Sequence, residues 1–191
     1  MPETAGSGDA ARETRPDETH LAGGSYSGRT MNTACPMTID HLAYYPGFIP
    51  IIARWHYHEW RHLHDFDSVA RRIALFMRDL EPGCIPTTFV ALSGGILLGS
   101  ASLVARDMDT RPDLSPWLAS VYVSPAYRGR GVASTLVRRV MEEARILGIP
   151  ALYLFTEDQE RLYARLGWSV MERTRYRGLP VVIMSVALGE N

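Results

Sequence analysis

With 191 residues, 46% of them hydrophobic, the chain holds enough apolar material for one domain with a full core, and two domains would be a squeeze. Twenty basic residues against twenty-one acidic ones leave a formal charge of -1, which argues against a dedicated surface for nucleic acid or acidic membrane. Two cysteines, Cys35 and Cys84, allow one bridge at most; read as free thiols, they fit a cytoplasmic protein.

Residues 1–36 are rich in Gly, Ser, Thr, Asp and Glu, with almost nothing apolar to bury, and are expected to be a disordered tail ahead of a domain over residues 37–191. Met31 or Met37 is an alternative natural start. No apolar h-region opens the chain and no later run approaches bilayer length, so neither secretion nor membrane insertion is expected. A weak alternation over residues 38–42 suggests a first strand. Pro46 can open a helix that carries Phe48, Ile51, Ile52 and Trp55 at helical spacing through His62. Asp67 or Ser68 caps a second helix with Val69, Ile73, Phe76, Met77 and Leu80 on one face, stopped by Pro82 and Gly83.

Two β-rich runs, residues 87–92 and 96–105, flank Ser93-Gly94-Gly95 and predict an antiparallel hairpin. Residues 117–123 read as a strand and residues 132–147 as a helix ended by Gly148 and Pro150. That helix has a buried stripe of Ala133, Leu136, Val137, Val140, Ala144 and Leu147, with Arg138, Arg139, Glu142 and Glu143 largely outside it. A short strand over residues 151–156, a helix over 158–166 with Gly167 at its C′ position, and strands over 168–172 and 181–188 complete the chain. The order is mixed α+β, and the closing strand 181–188 offers itself for pairing across a homodimer.

The chemistry lies in Arg128-Gly129-Arg130-Gly131-Val132-Ala133, between the strand at 117–123 and the helix that follows. A helix start leaves backbone N–H groups without partners at the positive end of its dipole, where anions bind. Gly129 and Gly131 keep side chains away from those amides and tolerate positive φ, while Arg128 and Arg130 add charge. The result is a nest suited to a diphosphate.

This segment resembles the Arg/Gln-x-x-Gly-x-Gly/Ala acetyl-CoA signature of the GNAT superfamily of N-acetyltransferases, and the strand before it and the helix after it match too. Leu162-Tyr163-Ala164-Arg165-Leu166-Gly167-Trp168 is similar to the family's Tyr-x-x-x-Gly-Phe segment, with Trp168 in place of Phe. The resemblance covers roughly residues 38–188 and is strongest over 117–170. It implies a mostly antiparallel mixed sheet flanked by helices, with a splayed central strand pair. It implies acetyl-CoA as co-substrate, with no metal, and an amine-bearing small molecule or peptide as acceptor. The diphosphate would lie on Arg128, Gly129, Arg130, Gly131, Val132, Ala133 and Ser134, and the pantetheine arm along Val121, Tyr122 and Val123, with Pro125 helping the strands to part. An amide near Val123 would face the thioester carbonyl.

On the same resemblance Tyr163 is the general acid for the departing thiolate, since a phenol of pKa about 10 keeps its proton until a thiolate of conjugate pKa about 8.5 forms. Many family members carry a glutamate base on the strand that here reads Leu118-Ala119-Ser120-Val121-Tyr122-Val123, so the base is open. Glu59 is the tentative choice, with Asp107, Asp109 and the nearby histidines as alternatives.

Other readings compete. His58-Glu59-Trp60-Arg61-His62 fits the H-E-x-x-H pattern of a zinc protease, with His56 and His64 close by. A dinucleotide fold fits poorly, because the residues after 158 are too few to complete a doubly wound sheet. A non-catalytic acyl-CoA sensor or scaffold is the remaining alternative. Acceptor recognition falls to residues 45–80 and 106–116, where Trp55, Tyr57, Trp60 and Trp117 are either cleft walls or core.

Overall fold

The computed structural model describes residues 35–63, 67–78 and 80–189. The tail expected over residues 1–36 therefore lies outside the described residues except for Cys35 and Pro36. The elements run β1 (Thr38–His41), α1 (Ile49–Trp60), α2 (Val69–Arg78), β2 (Thr87–Ser93), β3 (Ile96–Val104), β4 (Trp117–Val123), α3 (Val132–Ile146), β5 (Ala151–Thr156), α4 (Glu160–Ala164), β6 (Ser169–Tyr176) and β7 (Leu179–Ala187). They build a sheet in the order β1-β2-β3-β4-β5-β7-β6. Only β4 and β5 run parallel. This is the mixed, mostly antiparallel sheet expected, and it is not a doubly wound one.

Strand alternation sends successive side chains to opposite faces. Along β2, Phe89 and Ala91 pack with Leu136, Val137 and Val140 of α3, while Val90 and Leu92 pack with Ile49 and Ile52 of α1. Both sheet faces are thus covered by helices. Beyond β4, Leu152 and Leu154 of β5 join the α3 core, whereas Tyr153 and Phe155 face a separate cluster around Trp117, Met108 and Ile183.

The turns explain the boundaries. Gly94 and Gly95, at φ 56° and 79°, close the β2–β3 hairpin with the paired positive φ that a two-residue turn requires. Ser68 Oγ accepts the Arg71 N–H at 3.1 Å and starts α2. The last two strands are longer than the pattern suggested, because Arg177 and Gly178 (φ 47° and 83°) form a second two-residue turn. An arginine gives no sequence signal for that conformation. The predicted helices 46–62 and 158–166 are shorter than read, with one-turn 3₁₀ segments at Pro46–Phe48 and Arg61–Leu63 around α1.

Two expectations are corrected. Glu143 is buried, 4% exposed, where Arg139 reaches it at 2.8 Å and lies over the Phe89 ring at 4.3 Å; the pairing lets a carboxylate share the inner face of α3. The closing strand β7 lies between β5 and β6, so both its edges are already paired and it cannot join a second copy. The outer strands of the sheet are β1 and β6.

Candidate active site

The site begins where the sheet comes apart. β4 and β5 share a single parallel register pair, Trp117 with Tyr153, supported by the Tyr153 N–H donating to the Pro116 carbonyl at 3.1 Å. After that pair the strands diverge. On its other side β4 stays paired to β3, but with a bulge: Ser100 faces Tyr122 and Ser102 faces Ala119, so Ser120 and Val121 stand against Ala101 alone. Ser120 takes φ 52°, a left-handed conformation unusual outside glycine. Pro125 was expected to help part the strands, yet it lies past the end of β4 and the parting begins at Trp117; the bulge is the local distortion instead. Gly99 of β3 has no side chain because a Cβ there would collide with the Tyr122 carbonyl. That residue escaped the sequence reading.

Divergence leaves a cavity of about 900 Å³, at the upper end of the range for small-molecule sites. One wall is Ala119, Ser120, Val121, Tyr122 and Val123 of β4, and the floor of one end is the glycine loop. Gly129 and Gly131 adopt φ 74° and 81°, and a Cβ added at either would meet no neighbouring atom. The glycines are therefore set by backbone conformation, and the space beside them is open. Gly131 is the N-cap of α3 and offers no side-chain cap, while the first intrahelical bond is Thr135 N–H to the Gly131 carbonyl at 3.1 Å. The amides before Thr135 point out of the helix start.

The two loop arginines behave differently from the glycines. Arg128 folds back, donating from Nε to the Val123 carbonyl at 3.0 Å with its guanidinium 5.8 Å from the Tyr122 ring centre. It ties the loop to the end of β4 and still lines the cavity. Arg130 is exposed over Tyr127 and is not part of the lining. Val132, Ala133 and Ser134 are.

α4 adds Leu162 and Tyr163 to the lining. Gly167, at φ 91°, ends this turn, and Tyr163, 7% exposed, meets Trp168 edge-on at 6.1 Å. Burial raises the Tyr163 phenol well above its ordinary range, and the negative charges of Asp107 and Asp158 push it further. It is held protonated. The Trp168 indole N–H has no partner among the described residues.

The remaining walls come from distant segments. Trp60 at the end of α1, Leu63 from the 3₁₀ turn after it, Asp107 from the loop after β3, and Phe155, Glu157 and Asp158 from the end of β5 all line the cavity, as does Glu59. Asp107 is half-buried, and burial pushes its carboxyl up to about 7, against the pull of Arg72. Asp109 sits outside the lining, paired with Arg177 at 2.8 Å. Of the aromatic residues weighed as walls, Trp60 reaches the cavity; Trp117 is fully buried, donating to the Leu114 carbonyl, and Trp55 lies tilted against Tyr122 with ring centres 5.0 Å apart.

Among its described residues the histidine-rich motif does not assemble a metal centre. His56 is buried, 1% exposed, with its Nε2 3.0 Å from Ser100 Oγ, and burial lowers its pKa to about 3. His62 falls beyond the end of α1 and faces Glu157 at 3.3 Å, and His64 lies outside the described residues. Among the described residues no three His, Cys, Asp or Glu side chains come together as metal ligands.

Comparison with known proteins agrees with this geometry. Residues 49–168 match the model of the acetyltransferase (GNAT) family. The fold is similar to yncA of Salmonella typhimurium, solved with its cofactor acetyl-CoA, at 24% identity and TM-score 0.63, over 81% of this chain and 95% of that one. It is also similar to the spermidine/spermine N-acetyltransferase SpeG of Vibrio cholerae (18% identity, TM-score 0.60, 80% and 95% covered). A third likeness is to aminoglycoside 6'-acetyltransferase type Ii (16% identity, TM-score 0.62, 81% and 99% covered). A search of proteins of curated function finds no match.

Proposed function

Because the chain belongs to the GNAT family of acetyltransferases and is therefore an acyltransferase, we propose that it moves an acetyl group from acetyl-CoA to a primary amine in the cytoplasm. The acceptor is a small molecule or peptide, and its nitrogen attacks the thioester directly. One observation carries the reading: a single cavity runs from the uncapped start of α3, past the open edge of β4, to the buried hydroxyl of Tyr163.

Each part has a task in such a transfer. The amides of residues 129–134 bind the diphosphate of acetyl-CoA, the co-substrate, and the open edge of β4 at Val121, Tyr122 and Val123 pairs with its pantetheine arm as an added strand would. Arg128 holds the loop against β4, so the two binding elements keep a fixed spacing. An amide near Val123 polarises the thioester carbonyl. Tyr163 donates to the thiolate as the C–S bond breaks; its raised pKa keeps the phenol neutral and a hydrogen-bond donor until then. Among the described residues no helix is long and apolar enough to cross a membrane.

The acceptor end carries Glu59, Asp107, Glu157 and Asp158 beside the aromatic faces of Trp60 and Phe155. That mixture favours a cationic amine with a carbon skeleton over an acidic acceptor. Two of the similar folds act, by name, on spermidine or spermine and on aminoglycosides, both amine-rich cations, which supports the same class here. Glu59 is exposed at the cavity lip and suits orientation of the incoming ammonium. Free-thiol release from acetyl-CoA should be measured over aliphatic polyamines, amino sugars and a peptide with a free N-terminus and a lysine. Release with at least one amine is expected; binding of acetyl-CoA without release for any of them would favour the sensor reading instead.

A further inference from the structure

Among the carboxylates that line the cavity, Asp107 stands apart in how it is held. Its neighbours on both the chain and the surface are anchored: Met108 is buried, 2% exposed, in the cluster around Trp117 and Leu63, and Asp109 is tied to Arg177. The loop therefore presents the Asp107 side chain to the cavity from a fixed position. Among the described residues its carboxyl has no hydrogen bond or ion pair, whereas Glu157 is engaged by His62. It lines the same space as Tyr163, Trp60 and Phe155, so it stands where an amine approaching the thioester would pass.

We propose that Asp107 is the general base of the transfer and that it works with Tyr163 as a proton-exchanging pair. The assignment rests on the acetyl transfer proposed above. The β4 wall of the cavity has no carboxylate, as the residues Leu118, Ala119, Ser120, Val121, Tyr122 and Val123 show. Asp107 supplies one from the neighbouring loop.

The steps balance as follows. The ammonium acceptor first gives one proton to water. The neutral nitrogen then attacks the acetyl carbonyl carbon, forming the C–N bond, and the N–H proton of the adduct passes to the Asp107 carboxylate. The C–S bond breaks and the thiolate takes the phenolic proton of Tyr163. The proton on Asp107 then returns to the phenolate, which leaves both groups as they began and yields amide, free thiol and one proton in solution. The two groups assist each other electrostatically: the charge of Asp107 is one reason Tyr163 holds its proton, and neutralising Asp107 removes that restraint at the moment the thiolate needs the proton. Arg72 from α2 is the cation facing Asp107, and Asp158 is the other carboxylate acting on Tyr163. His62, Glu59, Glu157 and Arg165 complete the titratable lining near this end of the cavity.

A base near pH 7 is matched to its task, and its removal costs about a hundredfold to ten-thousandfold in rate. Asp107→Asn should lower kcat by at least about a hundredfold, leave the affinity for acetyl-CoA within about twofold, and abolish the fall in kcat on the acid side of pH 7. Asp107→Glu should restore part of the rate. Glu142→Gln, exposed on α3 and outside the cavity, should behave as the unaltered protein. Independently of any acceptor, carboxyl carbon NMR of the CoA-bound protein should show the Asp107 carboxyl titrating near 7. Full turnover in Asp107→Asn, a retained acid limb in that variant, or a carboxyl that titrates near 4 would each overturn the assignment while leaving acetyl transfer intact. An unaltered protein that acetylates no amine in the panel would overturn both.

Discussion

The two ends of the cavity are made in different ways. The donor end is backbone: a strand edge, two glycines with positive φ and the uncapped start of α3. The acceptor end is side chains, brought together from α1, the loop after β3 and the end of β5. A backbone site is encoded within one short segment, because glycine spacing and helix phase fix it locally. A side-chain site depends on segments roughly fifty residues apart in sequence, Glu59, Asp107 and Glu157, so its composition emerges only on folding. Under the proposed acetyl transfer, the donor site is thus written in one place and the acceptor site in three.

Changes at the two ends should separate cleanly in kinetics. The largest effect is expected at the junction: Tyr163→Phe should reduce kcat by about a hundredfold or more with little change in acetyl-CoA affinity, since only the donated proton is lost. Stopped-flow turnover against calorimetric binding measures both. Next comes Gly131→Val, which forces a β-branched residue into φ 81° and lines the anion nest with methyl groups; acetyl-CoA affinity should fall by roughly tenfold to a hundredfold. Trp60→Ala should raise the acceptor KM by about tenfold and leave acetyl-CoA binding alone, from the loss of one buried aromatic contact. If Trp60→Ala weakened acetyl-CoA binding as much as Gly131→Val does, the division between the ends would fail.

The smallest expected effect is on stability and lies beneath the acceptor end. His56, on the buried face of α1, packs against Trp60 and Phe76 and is neutral in the fold. Its folded pKa, about 3, is below the ordinary 6.5, so below pH 6.5 the unfolded chain binds the extra proton. Its contribution to stability is complete above pH 6.5 and is lost as the pH falls toward 3, at up to about 1.4 kcal/mol per pH unit. Denaturant midpoints between pH 7 and 5 should drop in the natural chain and drop less in His56→Gln.

Legibility followed the same divide. β4 over Trp117–Val123 and β5 over Ala151–Thr156 stand where the pattern placed them, because their apolar runs end at sharp turn signals. The glycine loop and α3 were equally plain. What the residues did not disclose were features set by tertiary contact: the bulge at Ser120, the need for glycine at position 99, and the left-handed Arg177. Each is a conformation that the local residue tolerates without asking for it. Glu143 misled for the opposite reason, since a carboxylate reads as surface until Arg139 is seen beside it. At the acceptor end, Glu59 and Asp107 were both named as candidates, and burial and anchoring are what tell them apart.

The single register pair between β4 and β5 has a consequence for the protein in storage and in the crowded cell. Past Trp117 the side of β4 that faces β5 is an unfinished edge, and unpaired strand amides are templates for another chain. The same groups that would grip pantetheine can also seed self-association. A molecule that completes the edge acts as a guardian of solubility as well as a reactant. Concentrated protein should therefore scatter less light with CoA present than without it, and the loss of that difference should accompany loss of the nest at Gly131.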